Sequence, residues 1–360
     1  MLTRNLGTSG LRPRPSQRPV INNRCHIVCP PPCLAIVQWS LRPTETKKLI
    51  PSHLSDLAEA ERLLIGCHEA PFSGRVYYVV NGARRWLPGQ QYLDAYRLSL
   101  GNVVWMSPEQ IRHYPLCGPV PLPWPTEALL NPPRANPSEL REIAVSTLVG
   151  RGLEFGAFAS PFPVPPECRV EYADRFTSEE LLLRRYPGQS IDIVPVSHIA
   201  SLDSFQGIAA GVFDFIIASH VIEHTRNPVA AIQRAYGALK PGGKLVLVVP
   251  DKRLTFDRDR DVTELAHLIE DFEAPHPDRD LLHYVEFYSR AFVTPIEGLY
   301  ARVKTAVEEN GDIHFHTWTY DSFKEMVAHI QEHIVPWASI WSHPPSEFAE
   351  ANEFYYVLTK

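Results

Sequence analysis

The side chains with the most chemistry to offer lie just after a short apolar run, 213–218, in the string Ser219-His220-Val221-Ile222-Glu223-His224. An imidazole exchanges a proton near neutral pH, so His220, at the end of that run, is the first candidate for a general base. A histidine bonded to backbone at a helix start fits the same position equally well. Glu223 reads as structural, satisfying first-turn amides, and His224 as packing toward a neighbouring loop. Upstream, GLEFGAF sets Glu154 and Gly156 after a second apolar run, and Asp174 closes a third run over 169–173. Downstream, Asp251, Lys252 and Arg253 end the run 245–249, where they could bind a polar acceptor or form a solvated charge cluster. In IHFHTW, His314, His316 and Trp318 would face one side of an extended segment. They could line a polar pocket, donate to a substrate or hold a metal with a carboxylate such as Asp257, but the expectation is structural histidines and no bound metal. His220, Asp251 and His316 are the catalytic candidates.

These residues need elements to hold them. Residues 213–218 have the length and character of a buried strand. Asn227 caps a following helix and Pro228 suits its first turn, with Val229, Ile232, Ala235 and Leu239 on one face. Lys240, Pro241, Gly242 and Gly243 then end the helix and turn the chain. Residues 245–249 are apolar throughout, as a central strand covered on both faces must be. The result is a β-α-β unit of a parallel sheet, whose ligands bind at the carboxyl ends of the strands. Further strands are expected at the run before Glu154, at 169–173 and at 192–194, and helices at 138–149 and 178–186. Thr177 with Glu180 forms a capping-box pattern for the second helix.

The ordered set SHVIEH, then NP, then LKPGGKLVLVVPDKR resembles the second half of a class I S-adenosylmethionine-dependent methyltransferase. The trailing TFDRDR resembles a bacterial branch, of methyltransferase type 11 character, often found beside glycosyl-transfer proteins. The resemblance implies an α/β fold: a Rossmann-like, doubly wound, mostly parallel sheet with a terminal antiparallel hairpin. It implies S-adenosylmethionine as cofactor, held by Glu154, Gly156, Ala157, Phe158, Asp174 and Ser219. In that frame Gly156 lets backbone approach the methionine part, and Asp174 accepts from the ribose hydroxyls. The chain departs from the family where Ala157, Phe158, Ala159 and Ser160 replace further glycines. It departs again where Pro195 and Val196 follow the expected third strand, so that Asp203, apolar contacts or backbone would hold the adenine. The implied reaction is methyl transfer to a small polar acceptor, such as a sugar or glycan hydroxyl. Two other readings stay open: a catalytically degenerate methyltransferase fold serving as a binding or scaffolding module, and a nicotinamide-dependent oxidoreductase, against which the missing GxGxxG and the present KPGG argue.

Length and composition bound the rest. The 360 residues, 44% hydrophobic, can bury a full core. A net charge of -6 gives no general attraction to nucleic acid, no apolar run is long enough for a membrane span, and six cysteines suit a reducing compartment, so a cytoplasmic protein is expected. Residues 1–51 are Arg- and Pro-rich and read as a disordered extension. Cys25, Cys29 and Cys33 lack a second cluster and are not expected to bind metal. A helix is expected over 55–65 within a small α+β module spanning 52–120, whose Asn81-Gly82 marks a hairpin and whose tyrosines and tryptophans read as core. A protein partner through this module is open. Residues 121–137 read as a semi-rigid proline-rich spacer, and 138–360 as the methyltransferase-like domain with a helical insertion at 255–311.

Overall fold

The computed structural model describes residues 63–360, apart from 126, 131–133, 277 and 293. The expected extension 1–51, with its three cysteines, lies outside the described residues. So do 55–62 of the helix expected over 55–65, and its remaining residues are strand instead: Leu63–Cys67 is β1. The reason is two-sided burial, since Leu64 enters one core cluster while Ile65 and Cys67 enter another, an alternation only a strand can satisfy. With β2 (Arg75–Val80), β3 (Ala83–Trp86), β4 (Val103–Trp105) and β5 (Leu116–Cys117) it forms a five-stranded sheet in the order β4-β1-β2-β3-β5. Asn81 and Gly82 join β2 to β3 with φ of 52° and 74°, the positive pair a tight hairpin needs.

Two buried arginines bind this sheet to later parts of the chain. Arg84 pairs with Asp192, and Arg85 Nη2 donates to the Cys168 carbonyl at 2.6 Å. Tyr92 donates to Glu142 at 2.6 Å. The proline-rich segment is no free spacer at its start: the Val120 amide donates to the Trp86 carbonyl, and the Pro121 carbonyl accepts from the Tyr96 hydroxyl.

The large sheet holds β6 (Arg151–Phe155), β7 (Arg169–Asp174), β8 (His198–Ile199), β9 (Phe213–Ser219), β10 (Leu239–Pro250), β11 (Ser339–His343) and β12 (Glu353–Thr359). Its order is β11-β12-β10-β9-β6-β7-β8, parallel from β8 through β10 and closed by antiparallel pairings of β12 with β10 and with β11. This is the Rossmann-like sheet with a terminal antiparallel hairpin. Apolar residues cover it on both faces, with Leu245, Leu247 and Val249 in one cluster and Val246 and Val248 in the other.

Helices pack around it. α1 (Pro137–Val145) is capped by Asn136, two residues earlier than the expected Ser138, through a reciprocal pair with Glu139. α2 (Ser178–Arg185) carries the Thr177–Glu180 capping box, and α3 (Pro228–Ala238) starts at the Asn227 cap. The insertion contains α4 (Leu265–Glu273), α5 (Asp278–Arg290) and α6 (Ile296–Glu308). α7 (Tyr320–His333), capped by Thr319, precedes the hairpin. The third strand corrects the expectation: 192–194 is irregular because Asp192 turns to Arg84, and pairing resumes only where Ala173 meets His198 and Asp174 meets Ile199. Among the described residues no helix is long and apolar enough to cross a membrane.

Candidate functional site

The carboxyl ends of β6, β7 and β9 lie side by side, and the expected ligand residues come with them. Glu154, in β6, is 2% exposed. Its Oε1 accepts from the Phe162 amide at 2.8 Å, which folds the following loop back over the strand end, while its Oε2 has no partner. Burial pushes this carboxyl up to about 8, against the weaker pull of the Phe162 amide and Arg141. Gly156 sits two residues on at φ +68°, and a Cβ there would stand 2.8 Å from Val221 Cγ2, so only glycine leaves this crossing open.

Ala157 is buried. Phe158 sits at φ +46° and stacks on Tyr186 at 5.7 Å. The departure from the glycine pattern is therefore one of side chain: the backbone still takes the left-handed turn, at a cost of about 1–2 kcal/mol, and its carbonyl accepts from the Val194 amide at 2.9 Å. Asp174 ends β7 with its carboxyl raised by burial, despite bonds from the Arg175 and Phe176 amides and the nearby Arg185.

Ser219 ends β9 beside Val248. His220 then turns to φ +53° while its amide still donates to the Val248 carbonyl at 2.9 Å. Its Nε2 lies 2.8 Å from Glu353 Oε2, at the start of β12. Glu353 also accepts from Arg141 of α1 through Nε at 2.8 Å and Nη2 at 2.6 Å, and from the Tyr355 hydroxyl at 2.6 Å. Burial alone would push Glu353 up, but Arg141 and His220 hold it far below the usual carboxylate range. An ionised carboxylate only accepts, so the His220 Nε2 that faces Glu353 carries a proton, and Nδ1 is the nitrogen able to hold the lone pair. That Nδ1 lies 3.8 Å from Glu223 Oε1.

Sequence reasoning missed Arg141, Tyr355 and Glu353. The last leaves a faint signal, an acid heading the buried run of β12 opposite Pro250. Glu223 corrects its reading too: it is 1% exposed and neither carboxylate oxygen has a hydrogen-bond partner, so it caps no amides. His224 lies 3.1 Å from Asp312, which outweighs burial and raises the imidazole to about 9.

Three further expectations meet a different geometry. Asp251 is fully buried, with one oxygen bonded to the Arg253 amide and Nε and the other to Arg253 Nη2, so its carboxylate does not offer itself to an acceptor. His314 and His316 are both buried but enter different clusters: His314 Nδ1 meets Asp257 at 2.6 Å, whereas His316 packs against His267 and His283. They do not jointly line a pocket, because the segment carrying them is wrapped by the insertion. Asp203, weighed for the adenine position, accepts from the Arg226 and Asn227 amides instead. The residues just beyond the true third strand are Ala200 and Ser201.

Residues 184–348 match the family model described as a methyltransferase domain. Among solved structures the chain is similar to the CurJ carbon methyltransferase, at 16% identity over 62% of this chain and 53% of that one, TM-score 0.34. It is also similar to the carbon methyltransferase domain of the citrinin polyketide synthase, at 11% identity over 62% and 47%, TM-score 0.31. A third is an S-adenosylmethionine-dependent methyltransferase from Mesorhizobium loti, at 13% identity over 61% and 96%, TM-score 0.34. The chain spans about half the length of the first two. A comparison with curated proteins gave no match.

Proposed function

We infer that the large domain is a class I S-adenosylmethionine-dependent methyltransferase domain, with S-adenosylmethionine as its cofactor; the family model over 184–348 and the strand order of the large sheet support this reading. We propose that it methylates a small polar acceptor at a hydroxyl presented to His220, and that sugars and nucleotide sugars are the first class to screen. The observation that carries this reading is the 2.8 Å contact of His220 Nε2 with Glu353, a carboxylate that Arg141 and Tyr355 also bond, which turns Nδ1 toward the free side of the ring.

The residues present fit the cofactor. Glu154 keeps a buried oxygen without a partner, Gly156 sits where any Cβ would meet Val221, and Asp174 is a half-buried carboxylate at the end of β7. Asp174 would accept from ribose hydroxyls, and the 156–158 loop and Ser219 would border the methionine part, with Ala157 and Phe158 contributing backbone and Glu154 holding the loop down. Bound S-adenosylmethionine supplies an electrophilic methyl group on a sulfonium. His220 Nδ1 takes the acceptor's proton, and the resulting imidazolium lies between Glu353 at 2.8 Å and Glu223 at 3.8 Å, both able to stabilise it. Arg141 and Tyr355 keep Glu353 in place and act as positioning residues. Asp251 and His316, buried and engaged elsewhere, are not given a step in this reaction.

The test is a methylation screen over sugars and nucleotide sugars, followed by His220→Ala on the best acceptor. The variant should bind S-adenosylmethionine as the parent does and lose about 10²–10⁴-fold in kcat. Unchanged kcat would remove His220 from the chemistry.

A further inference from the structure

The sequence leads to the expectation of no metal, yet the insertion brings four ligand-type side chains to one point. His267 and Asp271 stand one turn apart on α4, His283 comes from α5, and His316 comes from the segment before Trp318; one ligand atom from each lies within 4.8 Å of all the others. Nε2 of His267 and Nε2 of His283 face each other at 3.3 Å. Two nitrogens bound to tetrahedral zinc at about 2.0–2.1 Å are about 3.3 Å apart, the edge of that tetrahedron. Asp271 Oδ2 is 3.0 Å from His267 Nε2 and 4.0 Å from His316 Nε2. The three imidazole rings lie 5.0 to 5.6 Å from one another, centroid to centroid.

The polar accounting favours a missing cation. Asp271 Oδ2 and His316 Nδ1 are buried without a hydrogen-bond partner, on side chains 8% and 0% exposed. Buried polar atoms left without partners in a cluster of imidazoles and a carboxylate are what a divalent ion satisfies.

The surroundings already resemble the outer shell of a metal centre. Arg279 Nη1 donates to Asp271 Oδ1 at 2.6 Å, leaving Oδ2 for the ion, and Asn227 Nδ2 donates to the Asp271 carbonyl at 2.7 Å. His316 Nε2 lies 3.2 Å from the Arg226 carbonyl. The neighbouring trio of Glu223, His224 and His314 also holds unpartnered atoms, both Glu223 oxygens and His314 Nε2 among them, but its imidazoles already face carboxylates outside the trio: His314 Nδ1 meets Asp257 and His224 lies 3.1 Å from Asp312.

We propose that His267, Asp271, His283 and His316 bind one divalent transition metal ion, zinc by the chemistry of three imidazoles and a carboxylate. The ion ties α4 and α5 to the stretch leading into α7. Through Arg226 and Asn227 it also steadies the loop that leaves His220. It takes no part in methyl transfer.

Untagged full-length protein is the material to test, since an affinity tag would bind metal itself. Elemental analysis should find one zinc per chain. Protein stripped with a chelator should regain one equivalent and melt higher on titration with zinc sulfate, and cobalt should give the intense visible bands of a tetrahedral centre. Asp271→Asn, nearly isosteric, and His267→Ala, at a partly exposed position, should abolish the cobalt bands and the zinc-induced rise in melting temperature, while His329→Ala, on α7, should keep both. No zinc retained and no change on titration would overturn the proposal. So would a signal that survives Asp271→Asn and is lost in Glu223→Gln, because the ion would then belong to the neighbouring trio.

Discussion

Glu154 and Glu353 are buried at the same end of one sheet, in opposite electrostatic settings. Glu353 accepts from Arg141, Tyr355 and His220 and is held deep in its ionised form. Glu154 has one amide donor, one oxygen without a partner, and a carboxyl raised to about 8. Asp174, beside it in the sheet, is likewise raised by burial. The Glu353 side is saturated without a ligand, whereas the Glu154 side keeps an oxygen without a partner, as does Glu223 beside His220. A buried polar atom without a partner costs free energy, and a ligand that hydrogen-bonds to it recovers that cost on binding. One side is thus built for positioning and the other for binding.

Substitutions can break that contrast. The largest effect is expected for Arg141→Ala, which leaves Glu353 buried without its cation and should cost about 3–5 kcal/mol in urea unfolding. A loss below about 1 kcal/mol would mean that Glu353 is not the saturated carboxylate described. Gly156→Ala comes next: with φ at +68° and Val221 Cγ2 in the way, cofactor affinity should fall roughly tenfold or more while the fold persists. Adding Val221→Ala should recover part of the loss in calorimetry.

The smallest effect sharpens the cofactor side. Glu154 is protonated in the folded state up to about pH 8 but ionises from about 4.5 when unfolded, so between these values the folded chain holds more protons and stability falls as pH rises. Glu154→Gln removes that slope. The variant's advantage in melting temperature should grow across this interval and level off above about pH 8. His224 gives a slope of the same sign in a later window, its contribution present in full below about 6.5 and lost through about 9.

Much of the fold is legible because it rests on local signals. The apolar run 245–249, the Asn227 cap, the Thr177–Glu180 box and the Asn81-Gly82 turn each state their element within a few residues, and each element forms. The third strand lies away from its expected place for an equally physical reason. Ile193 and Val194 look like strand, but Asp192 is drawn to Arg84, 108 residues away, and the real strand, His198–Ile199, is too short to show a period. The site divides in the same way. Glu154, Gly156, Asp174 and His220 stand at the ends of apolar runs, where a reading of the sequence looks for them. Arg141 lies 212 residues from Glu353, and nothing local announces their pairing. The imidazole cluster likewise assembles from two helices and a loop, and only His267 and Asp271, one helical turn apart, hint at it.

The most direct test of the cofactor side is calorimetric titration of S-adenosylmethionine into the parent protein and into Asp174→Ala. Saturable binding to the parent is expected, with an affinity about 10–100-fold weaker in the variant, the loss of charge-assisted hydrogen bonds to the ribose. Equal binding by both, or binding by neither, would contradict a cofactor held at Asp174.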